Sequence, residues 1–213
     1  MKKVNKKNSR QNWTWLIVLA VIAVAGIAVA LIVGFGGNDE AAPSAGTHYV
    51  QIDIADYGTI TAELDGDTAP ITVANFVELV KSGFYDGLTF HRIISGFMIQ
   101  GGDPNGNGTG GSANKIKGEF SSNGVKNDIA HERGVLSMAR SSAPDSASSQ
   151  FFIMHDSAPH LNGQYAAFGR VLSGMEVVDA ICERVPVTDY NGTVARENQP
   201  VITSIKLIDK PAQ

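Results

Sequence analysis

The chain has 213 residues, 43% hydrophobic and 18% charged, which suits one or two globular domains. Its net charge is −4, yet Lys2, Lys3, Lys6, Lys7 and Arg10 all precede the first acid, Asp39, and the remainder carries 12 basic against 21 acidic residues. A body this acidic has no attraction for phosphate backbones, so nucleic-acid binding is set aside; the single cysteine, Cys182, permits no intrachain disulfide and cannot hold zinc by itself.

After the basic residues 1–12, Leu16 to Val33 is an unbroken run of 18 residues without a polar side chain. With Trp13, Trp15 and Phe35 as flanks, residues 13–35 are predicted to form one N-terminal transmembrane helix. The lysines before the span put the N-terminus in the cytoplasm by the positive-inside rule, so the rest is expected outside, on a single-pass cell-membrane protein. A cleaved signal peptide is the competing reading. Its apolar region is normally only about 7–15 residues and is closely followed by a small-x-small site, which Gly34-Phe35-Gly36 supplies poorly. Residues 36–47 are small and polar, the composition of a flexible tether, and the domain is placed at 48–210.

Apolar and polar residues alternate over 48–54 and 59–64, with Asp56-Tyr57-Gly58 between them, which predicts a β-hairpin. Asp67-Thr68-Ala69-Pro70 reads as a capped helix start; Val73, Phe76, Val77 and Val80 then share one helical face, and Gly83 supplies a stop. Short apolar runs follow at 89–94, 97–100, 134–138, 151–154 and 166–171, a second helix at 175–182, and a closing strand at 201–208. Many short strands with only two helices indicate a mainly β, antiparallel domain, most simply a barrel. Cys182 follows the apolar residues of the second helix, so an inert, buried thiol is expected.

Several motifs lead nowhere. Gly106 to Gly111 fits G-x-G-x-x-G but has neither the preceding strand nor the following helix of a dinucleotide site. Asp103 to Gly108 fits half a calcium loop, but its twelfth position is Asn114 where a bidentate Glu belongs. His48, His91, His131, His155 and His160 show no metal-binding spacing, and no G-x-S-x-G elbow is present. No metal and no cofactor is expected.

The most informative stretch is Phe90-His-Arg-Ile-Ile-Ser-Gly-Phe-Met-Ile-Gln-Gly-Gly-Asp103. Strand alternation puts Phe90, Arg92 and Ile94 on one face, a cation among apolar groups. Alone, Arg92 is as consistent with a structural ion pair as with a ligand contact, and Phe97, Met98 and Phe152 are as consistent with core as with a pocket. The stretch resembles the signature of the cyclophilin family. Three more segments match that family in order: Asn107 to Gly111, Gly134 to Ala139 leading into Ser149 to Ile153, and Leu161 to Gly169.

The resemblance covers about Tyr49 to Ile208 and implies an eight-stranded antiparallel β-barrel capped by two α-helices. It implies peptidyl-prolyl cis/trans isomerase activity on proline-containing polypeptides, with Arg92 as the catalytic cation aided by Gln100 and Phe97. Met98, Phe152 and Leu161 complete the proline pocket; Gln150, Ala139, the Arg140 backbone and Gly108 contact the peptide, and His160 and Tyr165 stand at the rim. His160 replaces a common Trp that contributes to cyclosporin binding, Arg140 replaces a common Asn, and the loop after it is about one residue longer. A monomeric catalytic domain is expected. The alternative from another class is a tethered proline-peptide binding module or holdase without turnover.

Overall fold

The computed structural model describes residues 43–212; the predicted membrane span at 13–35 and most of the tether lie outside the described residues. Among the described residues, no helix is long and apolar enough to cross a membrane. The expected hairpin is formed by β1 (Thr47–Ile54) and β2 (Gly58–Asp65), paired from Thr47↔Asp65 to Ile54↔Gly58. Positive φ at Asp56 and Gly58 lets the chain reverse between them. The domain begins slightly earlier than residue 48: Ser44 N–H donates to Pro70 O at 3.0 Å and Gly46 N–H to Asp67 Oδ1 at 2.8 Å.

Helix α1 (Pro70–Lys81) buries Val73, Phe76, Val77 and Val80 on the predicted face, and Gly83 follows its end at φ 68°. Its N-terminus is capped differently from the local expectation. No side chain at the helix start bonds its first turn. Glu119, from a distant loop and 2% exposed, accepts from Ile71 N–H at 3.1 Å, Thr72 N–H at 2.7 Å and Thr72 Oγ1 at 2.7 Å. A carboxylate there meets both the orphan amides and the positive end of the helix dipole.

The remaining strands are β3 (Phe90–Ile94), β4 (Met98–Gly101), β5 (Val135–Met138), β6 (Phe151–Met154), β7 (Ala167–Ser173) and β8 (Ile202–Ile208), with helix α2 (Met175–Arg184) between the last two. All pairs are antiparallel, in the order β3-β4-β6-β5-β7-β2-β1-β8. The result is a curled eight-stranded sheet with two helices. The end strands β3 and β8 approach through the single bridge Thr89↔Val201 and flanking bonds such as Phe90 N–H to Pro200 O, 3.0 Å, without the full ladder of the expected closed barrel.

The concave side holds the main core, where Phe76 packs against Tyr85, Phe151 and Phe168 with ring centroids 5.0, 5.4 and 5.2 Å apart. Helix α2 adds Val177, Val178 and Ile181 to it. A second, smaller apolar cluster lies apart from this core and comprises Met98, Val135, Phe152, Met154, Ala158, Leu161 and Ala167, with Ile94, Phe97, Ala139 and Tyr165 against it. Both faces of the sheet are therefore apolar at this point, but only the concave one has helices packed on it.

Candidate active site on the outer face of the sheet

Register brings the site together. Arg92 on β3 pairs with Gln100 on β4, and Gln100 pairs with Phe152 on β6, so the three stand side by side across neighbouring strands. One step along, Ile94 pairs with Met98 and Met98 with Met154. The predicted sharing of a face by Phe90, Arg92 and Ile94 needs correction. A register shift between Phe90 and Arg92 sends Phe90 into the main core, while Ile94 stays with the outer cluster. Simple period-two counting fails across such a bulge.

A cavity of about 130 Å³ opens here, lined by Arg92, Phe97, Met98, Gln100, Ala139, Arg140, Phe152, Leu161 and Tyr165. Nine of the twelve residues singled out in the sequence thus meet around one space. Its floor is nearly dry, with Met98 1%, Phe152 5% and Leu161 8% exposed. Gln150 and Gly108 line an adjoining groove of about 330 Å³, which shares Gln100, Ala139 and Arg140 with the first cavity. His160 lines neither; it stacks on Phe97, ring centroids 5.8 Å apart, as an outer support.

Arg92 is held on two sides. Its Nε donates to Asn191 O at 2.8 Å and Nη1 to Gln100 Oε1 at 3.2 Å. Gln100 Nε2 donates in turn to Gln150 Oε1 at 2.9 Å, and Gln150 Nε2 to Gly110 O at 2.7 Å and Gly108 O at 3.2 Å. This relay fixes both amides and leaves Arg92 Nη2 without a protein partner among the described residues. Burial draws the Arg92 pKa below the ordinary arginine value, with Tyr165 and Asp189 opposing that effect. The group remains a cation, because arginine titrates far above neutrality.

The Arg140 side chain is held by backbone carbonyls and aromatic rings. Its Nε and Nη2 donate to Gln164 O at 3.1 and 2.8 Å, and Nη1 to Ser141 O at 2.9 Å. The guanidinium also lies 4.7 Å from the Tyr165 ring centroid and 5.0 Å from that of Phe120. Folded back this way, it braces Tyr165 at the rim.

Other supports are absent from the sequence reading. His131 stacks beneath Phe152, ring centroids 6.0 Å apart, and its two nitrogens meet Asn162 Oδ1 at 3.1 Å and Ser137 Oγ at 3.0 Å. Burial lowers its pKa, with the Asn162 bond opposing, so the ring is neutral at pH 7. His155 Nδ1 accepts from Gly96 N–H at 2.8 Å, and its backbone N–H donates to Phe97 O at 2.9 Å, securing the turn that presents Phe97. No sequence motif marks either histidine, since the Asn162 bond of His131 spans 31 residues and the Gly96 bond of His155 spans 59. Cys182 is half-buried in α2 and its thiol is pushed up to about 11, chiefly by burial.

Comparison with known proteins agrees with this geometry. Residues 49–207 match the family model for cyclophilin type peptidyl-prolyl cis-trans isomerase. Peptidyl-prolyl cis-trans isomerase B of Bacillus subtilis is 51% identical over 123 residues, 58% of this chain and 82% of that protein. A peptidyl-prolyl cis-trans isomerase-like 2 protein of Cryptococcus neoformans is 47% identical over 156 residues, 73% of this chain but only 26% of that longer protein. Among solved structures, a Cryptosporidium parvum cyclophilin type isomerase crystallised in the presence of the dipeptide Ala-Pro superposes with a TM-score of 0.67 at 34% identity, over 76% of this chain and 99% of that one.

The outer face of a curled antiparallel sheet thus carries a cation beside an apolar hollow. The chain belongs to the cyclophilin-type peptidyl-prolyl cis-trans isomerase family, and the domain is an enzyme of that kind.

Proposed function

We propose that the domain turns X-Pro bonds with Arg92 as electrostatic catalyst and the 130 Å³ cavity as the seat of the proline ring. Peptide C–N rotation faces a barrier of about 18–20 kcal/mol because resonance gives that bond double-bond character. Uncatalysed X-Pro exchange therefore takes tens to hundreds of seconds. In the rotated state the proline nitrogen is pyramidal and has lost conjugation. A donor directed at it, or at the neighbouring carbonyl, favours that state over the planar ones.

The observation that carries the reading is the Arg92 guanidinium at the wall of an apolar hollow, gripped at Nε and Nη1 with Nη2 spare. A pre-set donor costs little reorganisation and acts more strongly beside low-dielectric walls. The hollow is close to the roughly 150 Å³ void that takes up benzene in an engineered protein core, so a five-membered ring fits it. Phe97, Met98, Phe152 and Leu161 hold the ring. Gln100 and Gln150 orient Arg92. Ala139 O and Arg140 N–H, which have no partner among the described residues, lie free to pair with the peptide backbone beside Gly108. The Ala-Pro dipeptide named with the Cryptosporidium structure supports the same substrate class.

The hydrophobic stretch 13–35 behind a basic N-terminus supports a membrane anchor that holds a monomeric domain outside the membrane, where it assists folding of exported chains. Exchange spectroscopy on a short Ala-Pro peptide tests the activity. Wild type is expected to accelerate cis/trans exchange, and Arg92→Ala to lose about a hundredfold or more in kcat/KM without loss of fold. If both proteins leave spontaneous exchange unchanged while the peptide still shifts resonances at Phe97 and Phe152, the domain is a binding module. Immunoblots of membrane and soluble fractions, with protease added outside intact cells, test the anchor and its direction.

A further inference from the structure

A third and larger cavity, of about 570 Å³, lies on the other side of Arg92 and shares Arg92, Gln100 and Gly108 with the two grooves already described. Its outer wall comes from the segment between α2 and β8, which contributes Thr193, Val194, Arg196 and Gln199. The two walls are tied together from within. Gln199, 8% exposed, donates to Gly106 O at 2.8 Å and Val194 O at 3.0 Å and accepts from Thr89 Oγ1 at 2.5 Å. The space is thus built into the fold rather than left between mobile loops.

Its charge is unusual for so acidic a body. Two guanidiniums, Arg92 and Arg196, line it, and no carboxylate does. Neither arginine forms an ion pair among the described residues. Arg196 spends one nitrogen on Asn105 O, at 3.3 Å, and its other donors have no protein partner there. It lies across the loop only because residue 106 is glycine: a Cβ at that position would overlap its guanidinium.

Glu197, next to Arg196 in the chain, is exposed and forms no ion pair with it. The two acids that act on His91 and Arg92, Asp103 and Asp189, are consumed by their own loops. Asp103 accepts from the N–H groups of Asn105, Asn107 and Gly108, and Asp189 from those of Asn191 and Thr193 and from Thr193 Oγ1. His91 completes the wall, 4% exposed, with neither ring nitrogen bonded to any protein atom. Buried polar groups left without partners are rare away from functional sites.

We propose that this cavity is a specificity subsite for a carboxylate side chain, an Asp or Glu of the substrate polypeptide a few residues from the isomerised proline. Arg196 is its principal cation and Arg92 its inner limit. The assignment rests on the reading that substrate lies in the groove beside Arg92. A chain crossing the Gly108 rim advances about 3.3–3.6 Å per residue, so a side chain near the proline reaches either flanking cavity. An unpaired guanidinium at the edge of low-dielectric walls favours carboxylate over an isosteric amide.

The test uses full-length protein in detergent micelles and paired Ala-Pro peptides, Glu against Gln, with that residue moved through successive positions on either side of the proline. In one register the Glu peptide is expected to show a kcat/KM about three- to tenfold above its Gln twin, with the ratio falling as salt is raised. Arg196→Gln brings the ratio to about one, whereas Lys115→Gln, in the neighbouring groove, leaves it unchanged. A ratio near one in every register overturns the proposal, as does a preference removed by Lys115→Gln and kept by Arg196→Gln. Amide shifts at Gly106, Gly108 and Gln199 give a readout independent of turnover. If the enzyme turns over no peptide, the isomerase mechanism fails, and the subsite still stands or falls on whether the Glu peptide moves these amides more than the Gln peptide. Equal movement by free succinate alone identifies a small-anion site and also overturns the proposal.

Discussion

The two apolar clusters are made from the same strands, yet one is finished by the protein and the other is not. On β6, Phe151 and Ile153 point into the main core while Phe152 and Met154 point into the outer cluster. The inner set is covered by α1 and α2 and is filled by rings in edge and tilted contact. The outer set has no helix over it and ends in a hollow beside a guanidinium. Apolar surface that the chain does not cover itself is surface for a ligand, and the neighbouring charge defines which ligand.

The comparison is broken most severely from the inside. Phe76→Ala removes a fully buried ring that meets three others, and is expected to cost about 3–5 kcal/mol of stability in urea unfolding. The protein that remains folded should keep its KM for an Ala-Pro peptide. Phe152→Ala is expected to destabilise less, because its cavity opens to solvent, and to raise KM. If the two variants swap these signatures, the assignment of core and pocket is wrong.

A smaller effect is expected at the lid of the inner core. Glu119→Gln keeps the shape but replaces one acceptor oxygen with an NH₂ facing the amides of Ile71 and Thr72. The loss is about 1–3 kcal/mol, seen as faster amide exchange in the first turn of α1, with peptide exchange rates unaltered. Unchanged protection in that turn would mean the cap is held by something else.

The smallest effect is a pH dependence belonging to the outer cluster. The His131 pKa is lowered in the folded protein, so folding favours the neutral ring. That contribution is fully present above the unfolded histidine value of about 6.5 and is lost as pH falls through the lowered folded value. Melting temperature should therefore drop on mild acidification, and less steeply in His131→Gln. His91, also lowered by burial, adds a slope of the same sign, which His131→Gln leaves in place. Equal slopes in wild type and His131→Gln would remove His131 as the source.

Much of this protein is legible in its sequence because the information is local. Alternation places β1 and β2, a 3.6-residue period places the buried face of α1, and the run from Phe90 to Asp103 holds the proposed catalytic residues Arg92, Phe97 and Gln100 within one hairpin. What tertiary structure alone decided are facts joining distant segments. The bulge that parts Phe90 from Arg92, the Glu119 cap on α1, the fold-back of Arg140 onto Tyr165, and the Arg196 wall behind Arg92 each depend on which strand lies beside which. Periodicity reports how one segment meets water; hydrogen bonds and charges that cross between segments are fixed only when the sheet curls and brings them within about 3 Å of each other.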